Sequence, residues 1–377
     1  MTRKLYYEDS NLLQFEAVVT GCSAVKGGYE VTLDQTAFYP EGGGQPWDTG
    51  TLGETTVLQV TEAGEEVVHL CDRPLTIGAV VTGTVHAQRR LDLMQQHSCE
   101  HILSGIICTK YGVSNVGFHV GAHIMEIDFS GPIPAEDLPE LEKTANEAIW
   151  KNLPVICGYP EQLGEYRSKK ELEGPVRIVE VPGYDRCACC GVHVQYTGQI
   201  GLIKIVSMVK FHQGVRLELL CGMRAYEYVS ATTEQNRQIS GLLSAKPLET
   251  AAAAKRLSDQ LAAEKFRAGC LEKRLFEVIA QNYVNQGRAL HFEEGLTSAA
   301  VRELADRIGK VAQTAVVCSG SDGAGYSICI IGQNAKELGA KCASALSGRG
   351  GGKPEAFQGS LKAGRAEITE FLQQEGF

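Results

Sequence analysis

The sequence predicts an α+β multidomain protein, and three observations support that expectation. Residues 1–88 contain short β-branched stretches with alternating polarity, such as Glu30-Val31-Thr32-Leu33 and Val80-Val81-Thr82-Gly83-Thr84-Val85, separated by glycine turns. This is the pattern of a small all-β domain, a sandwich or barrel. From Arg89 onward apolar residues recur at spacings of three and four, and helices then mix with strands to about residue 225. After a helical stretch poor in breakers, residues 289–377 alternate helix and strand patterns again.

The chain has 377 residues, enough for two to four domains that each bury a core. Hydrophobic residues make up 44% and charged residues 21%, which excludes a disordered chain or an extended fibre. In the middle region Leu91, Met94, Ile102, Leu103, Ile106 and Ile107 place a helix over residues 89–109. A strand follows at 123–129, a helix at 135–152, and strands at 176–181 and 201–209. Residues 225–285 read as two helices broken near Lys246-Pro247. In the second of these, Leu257, Leu261, Ala268, Leu271, Leu275 and Val278 follow a heptad-like path that Glu264 interrupts. The last region predicts helices near 298–312 and 335–345 and strands at 314–318 and 326–331. The expected division is therefore a β-barrel over 1–88, an α+β domain over 89–225, a helical arm over 226–288 and an α/β domain over 289–377.

The N-terminus has no apolar stretch of signal-peptide length, and no window approaches the length of a membrane helix, so the expected location is cytoplasmic, with no membrane partner. The thirteen cysteines are then reduced thiols or metal ligands. Cys22, Cys71, Cys108, Cys221, Cys270, Cys318, Cys329 and Cys342 sit among apolar neighbours as small hydrophobes; only Cys187, Cys189 and Cys190 are dense enough to suggest chemistry.

A net charge of −9 speaks against a nucleic-acid partner until it is divided by region. Residues 1–88 hold 4 basic and 12 acidic side chains, a net −8, whereas residues 89–225 carry −2 and residues 226–377 carry +1. The acidity belongs to the β domain. The arm, with Lys255-Arg256 and Lys273-Arg274, and the C-terminal domain remain open to RNA.

His97 and His101 are four residues apart on the predicted helix, so both imidazoles can reach one ion. Ser98 stands where the H-E-x-x-H protease motif has its glutamate. Some ninety residues on, Cys189 and His193 form a C-x-x-x-H pair around Gly191; together the pairs make a nitrogen and sulfur set suited to tetrahedral zinc. Cys187 and Cys190 form a C-x-x-C that could be redox-active or supply a ligand instead.

The segment from Thr36 to Gln45, with Asp48 and Gly50, resembles the T-x-F-Y-P-x-G-G-G-Q-x-x-D-x-G signature of alanyl-tRNA synthetase editing regions and free-standing alanyl-tRNA editing proteins. His97, His101, Cys189 and His193 match that family's H-x-x-x-H and C-G-G-T-H metal motifs, although Cys190 and Val192 depart from the second. Residues 117–121 resemble its G-F-H-L-G loop, and residues 197–201 its T-G-E-I-G. Near the C-terminus, Gly350-Gly351-Gly352-Lys353-Pro354 and Gln358-Gly359 are similar to the G-G-G-x-P…Q-G of the DHHA1 domain.

The resemblance implies a free-standing aminoacyl-tRNA deacylase of the long form, without an aminoacylation domain, which hydrolyses alanine tRNA mischarged with serine or glycine. An alanine site cannot exclude smaller glycine and rejects an added hydroxyl only modestly, so a second sieve must act after charging. One zinc ion per chain is expected on His97, His101, Cys189 and His193, facing the substrate. Gly43, Gly44, Gln45, Phe118 and His119 are expected at the pocket, though His119 also fits a satisfied core histidine. Glu100 reads as a solvated carboxylate or one beside the ligands, rather than a general base. Arg349 and Lys353 are expected to contact tRNA phosphates, and a homodimer through the arm or C-terminal domain is a further expectation.

A non-catalytic tRNA-binding protein with a structural zinc shares these motifs. A DHH-type phosphoesterase needs a D-H-H tripeptide that this sequence lacks. Nucleotide hydrolysis is disfavoured because Pro354 stands where a phosphate loop needs Ser or Thr.

Overall fold

The computed structural model describes residues 1–168 and 174–377. It comprises two compact units, Met1–Gln238 and Ile239–Phe377.

In the first unit six antiparallel strands close into a barrel in the order Gln14–Val25, Gly28–Leu33, Glu66–Cys71, Thr55–Ala63, Gly50–Leu52 and Val80–Val85. Alternation along each strand sends Phe15, Ala17, Val19, Val31, Leu33, Val57, Val60 and Val67 inward. His69 joins this interior: its Nδ1 donates to the Val31 carbonyl (3.2 Å), and Thr36 Oγ1 donates to its Nε2 (2.9 Å). The same hydroxyl accepts from the Phe38 amide at 3.1 Å. Thr36 thus ties the start of the T-x-F-Y-P segment to the barrel.

The helix Ala87–Tyr111 follows directly, with His86 Nδ1 accepting from the Arg89 amide at its start. Gly112, in left-handed conformation at φ 66°, ends it. It packs with the helix Leu138–Trp150 and a four-stranded antiparallel sheet ordered Ile203–Phe211, Gly214–Cys221, Met125–Phe129, Asn115–Val120. Cys99, Ile102, Leu103 and Ile107 from the helix meet Ile127, Leu217 and Leu219 from the sheet in one core. A small sheet of Ile156–Gly158, Ile178–Val181 and Asp185–Ala188 borders this layer.

Arg90 locks barrel to helix. It is buried, pairs with buried Asp48, and donates to the Ser10 and Ala37 carbonyls, while Asp48 also accepts from the Tyr39 amide. An ion pair taken out of water survives only with its remaining donors and acceptors met in this way.

The second unit holds a five-stranded sheet ordered Arg288–Glu293, Thr314–Ser321, Gly325–Gly332, Ala356–Leu361, Arg349–Lys353; only the first pair is parallel. The helices Ser298–Ile308 and Ala335–Ala345 pack on it. Four of these elements differ from the sequence expectation: the strands Arg288–Glu293, Arg349–Lys353 and Ala356–Leu361 and the helix Arg365–Gln374 carry too little periodic apolar signal to be read alone. The long helices are Gly222–Leu243 and Thr250–Gln281, broken at Lys246-Pro247. On the latter, Phe276, Ile279 and Ala280 are buried against Val301 and Leu304, while Leu257, Leu261, Leu271, Leu275 and Val278 stay 53–65% exposed.

Candidate metal centre

One helical turn separates His97 from His101, and their rings stack with centroids 5.6 Å apart. The strand Asp185–Ala188 delivers Cys189 and the turn that follows it, and His193 comes back toward the helix with its ring 4.5 Å from His97 and 4.8 Å from His101. The ligating atoms of His97, His101, Cys189 and His193 all lie within 4.8 Å of one another. Cys189 Sγ is 3.4 Å from Nε2 of both His97 and His193.

The turn is shaped to permit this. Arg177 donates to the Cys189 and Gly191 carbonyls, both at 2.9 Å, and Tyr7 donates to the Cys190 carbonyl at 2.8 Å while its ring lies against the Arg177 guanidinium. The Gly191 amide donates to Cys189 Sγ at 3.3 Å. A Cβ at Gly191 would lie 2.1 Å from His97 Cε1, so only glycine lets the turn pass the histidine.

Each histidine is held by its Nδ1. His97 Nδ1 donates to Gln45 Oε1 (2.8 Å), His101 Nδ1 to Asp185 Oδ2 (2.7 Å), and His193 Nδ1 lies 3.3 Å from Ser98 Oγ, which accepts from the Val194 amide. All three Nε2 atoms are left for the centre, and His101 Nε2 is buried with no hydrogen-bond partner among the described residues. That orphaned atom and the mixed nitrogen and sulfur donors fit a metal ion.

Electrostatics favour the thiolate of Cys189 and a neutral His193, but they favour a proton on His101, which a bound metal ion would have to displace. Burial opposes ionisation of Cys189, yet its surroundings, His97 first among them, hold its thiol well below the usual range. Burial pushes His193 down to about 3, so it is neutral. Burial opposes the charging of His101, but Glu100 and Asp185 raise it well above the usual range. Burial likewise opposes the ionisation of Asp185, which His101 and Arg167 hold low. Arg167 clamps Asp185 with two bonds of 3.0 and 2.9 Å and approaches Glu100 at 3.8 Å. Glu100 is buried, accepts from Ser104 and Asn115, and lies 3.8 Å from His101 Nε2. It is neither solvated nor aimed outward.

Cys187 is buried in the small sheet with its thiol raised to about 12, chiefly by burial, and Cys190 is exposed. Cys187 also falls in a second group with His101 and Asp185. Gln45 ends a tight turn in which the amides and carbonyls of Gly42 and Gln45 pair reciprocally. Gly44, at φ 84°, passes so close to the neighbouring strand that a Cβ would lie 2.4 Å from the Phe118 carbonyl. Phe118 lies beside His97, ring centroids 4.8 Å apart. His119 does not join them: the expected loop is the strand Asn115–Val120, whose alternation leaves His119 exposed. A Cβ at Gly43 would meet nothing within 4 Å. Arg349 and Lys353 are exposed on the strand that bears them, in the second unit.

Residues 176–217, which supply the turn and both flanking strands, match the "Threonyl and Alanyl tRNA synthetase second additional domain" family. The "Alanyl-tRNA editing protein Aarsd1-B" of Xenopus laevis is 30% identical over 365 residues, covering 92% of this chain and 88% of that protein. This chain belongs to the alanyl-tRNA editing proteins. The mouse "Alanyl-tRNA editing protein Aarsd1" is 28% identical across 98% of this chain and 97% of its own length. The "Alanine--tRNA ligase" of Thermofilum pendens is 31% identical, with this chain spanning 44% of it.

Sequence reasoning about this editing protein missed Asp185, Arg167, Ser98 and Arg177. Ser98 was readable, since it sits between the two histidines. Asp185 and Arg167 become partners only through folding, 84 residues from His101 in the first case and 18 residues from each other.

Proposed function

We propose that this editing protein is an aminoacyl-tRNA deacylase that hydrolyses the ester of tRNA(Ala) mischarged with serine or glycine, using one zinc ion held by His97, His101, Cys189 and His193. The observation that supports this most is the inward convergence of three Nε2 atoms and one thiolate, each imidazole fixed from behind. The full-length likeness to proteins named alanyl-tRNA editing proteins supplies the substrate class. A metal bound there supplies Lewis acidity toward the ester carbonyl or the attacking water.

The chain's own residues do the rest. Gly44 passes against the Phe118 backbone, and the Phe118 ring lies beside His97. Asp185 and Arg167 keep His101 in one tautomer and orientation. An aminoacyl ester is a reactive bond, so positioning answers most of the catalytic demand. In the second unit Arg349 and Lys353 are assigned to phosphate contact, consistent with the near-neutral charge of that region.

His97→Ala tests the assignment. The expected result is unchanged far-UV circular dichroism and tRNA affinity, with serine or glycine release reduced by about 100-fold or more. A folded variant with undiminished turnover overturns the role given to the centre.

A further inference from the structure

Gln45 carries one interaction too few. Its side chain is 1% exposed; Oε1 accepts from His97 Nδ1 at 2.8 Å, and Nε2 is buried with no partner among the described residues. Turning the amide over would cost His97 its place as a metal ligand. With Nε2 facing His97, the ring would have to offer Nδ1 as an acceptor and carry its proton on Nε2, the nitrogen that lies 3.4 Å from Cys189 Sγ. A carboxamide taken out of water with its N–H groups unmet carries a desolvation cost that a ligand can relieve. The backbone that carries the carboxamide is fixed by the reciprocal Gly42–Gln45 bonds of the turn.

We infer that Gln45 has two tasks in one group: Oε1 positions His97, and Nε2 donates a hydrogen bond to the carbonyl oxygen of the bound aminoacyl ester. The second task rests on the deacylase reading above; the first does not. In hydrolysis the water oxygen bonds to the acyl carbon, the bond from that carbon to the terminal ribose oxygen breaks, and the ribose oxygen leaves with a proton. Negative charge gathers on the carbonyl oxygen in between. An amide donor already fixed in place stabilises that charge without reorganising. Gln45 itself neither gives nor takes a proton.

Two full-length variants separate the tasks. Gln45→Glu keeps an acceptor for His97 and loses the donor; Gln45→Met loses both at nearly constant volume. Zinc affinity is measured by competition with a chelating dye, and the d–d spectrum of the cobalt-substituted protein reads the ligand geometry. Seryl-tRNA(Ala) hydrolysis gives kcat and KM separately. Gln45→Glu is expected to hold zinc affinity within about threefold and the cobalt spectrum unchanged while kcat falls about 100-fold. Gln45→Met is expected to lose 10- to 100-fold in zinc affinity with an altered spectrum. Wild-type zinc affinity in Gln45→Met overturns the positioning task, and wild-type kcat in Gln45→Glu overturns the donor task. If Gln45→Met does not fold, an altered cobalt spectrum in Gln45→Glu overturns the positioning task and an unchanged one supports it. Should wild-type protein release no serine, the deacylase reading fails with the donor task, and the zinc and cobalt readings still decide the positioning task.

Discussion

Asp185 shows how much of the centre depends on side chains that touch no ligand. Its carboxylate holds His101 Nδ1 at 2.7 Å and is itself held twice by Arg167. Asp185→Asn keeps the shape and removes the charge, and it is expected to weaken zinc binding 10- to 100-fold. Chelator competition on the full chain measures this; affinity within twofold of wild type would count against the role. The four converging residues were legible in the sequence because a spacing of four is a helix face and because C-x-x-x-H closes around Gly191. Asp185 was not legible, because a carboxylate four residues before a cysteine has no local signature. The G-F-H triplet was read as a loop, whereas it lies in a strand whose two-residue alternation puts Phe118 by His97 and leaves His119 exposed.

Elements reveal a second kind of constraint. The barrel keeps a histidine inside, and burial lowers His69 to about 4. In the unfolded chain the same ring titrates near 6.5, so between those values the unfolded state binds the extra proton. The stabilisation is whole above pH 6.5 and is lost as pH falls toward 4, an effect on the order of 3 kcal/mol. Urea unfolding across that range should show it, and His69→Gln should flatten that part of the pH dependence; an unaltered slope would refute the assignment. One strand missed in the second unit has a clear cause. Arg349–Lys353 is mostly glycine, with low β propensity, and it pairs because the adjoining strand Ala356–Leu361 offers Phe357, whose ring fills the space a side chain at Gly350 would need. The long helix Thr250–Gln281 was legible from its composition, but among the described residues the heptad-like path along it has no matching burial, and its last two turns join a core.

At the scale of the molecule, charge and chemistry are divided. Acidic side chains concentrate in residues 1–88, whereas the region from residue 226 onward is close to neutral, with net +1. Binding to tRNA should therefore weaken with salt through contacts in the second unit. Arg349→Ala and Lys353→Ala are each expected to lower the slope of log K against log salt by about 1; slopes equal to wild type would remove both from the interface. No helix among the described residues is long and apolar enough to cross a membrane. The central claim is that the centre built on His97, His101, Cys189 and His193 removes the wrong amino acid from tRNA(Ala). Incubating the full-length protein with seryl-, glycyl- and alanyl-tRNA(Ala), with and without a zinc chelator, tests it most directly. Release of serine or glycine but not alanine, abolished by the chelator and restored by zinc, is the predicted result; tRNA binding without turnover, or turnover indifferent to the chelator, would contradict it.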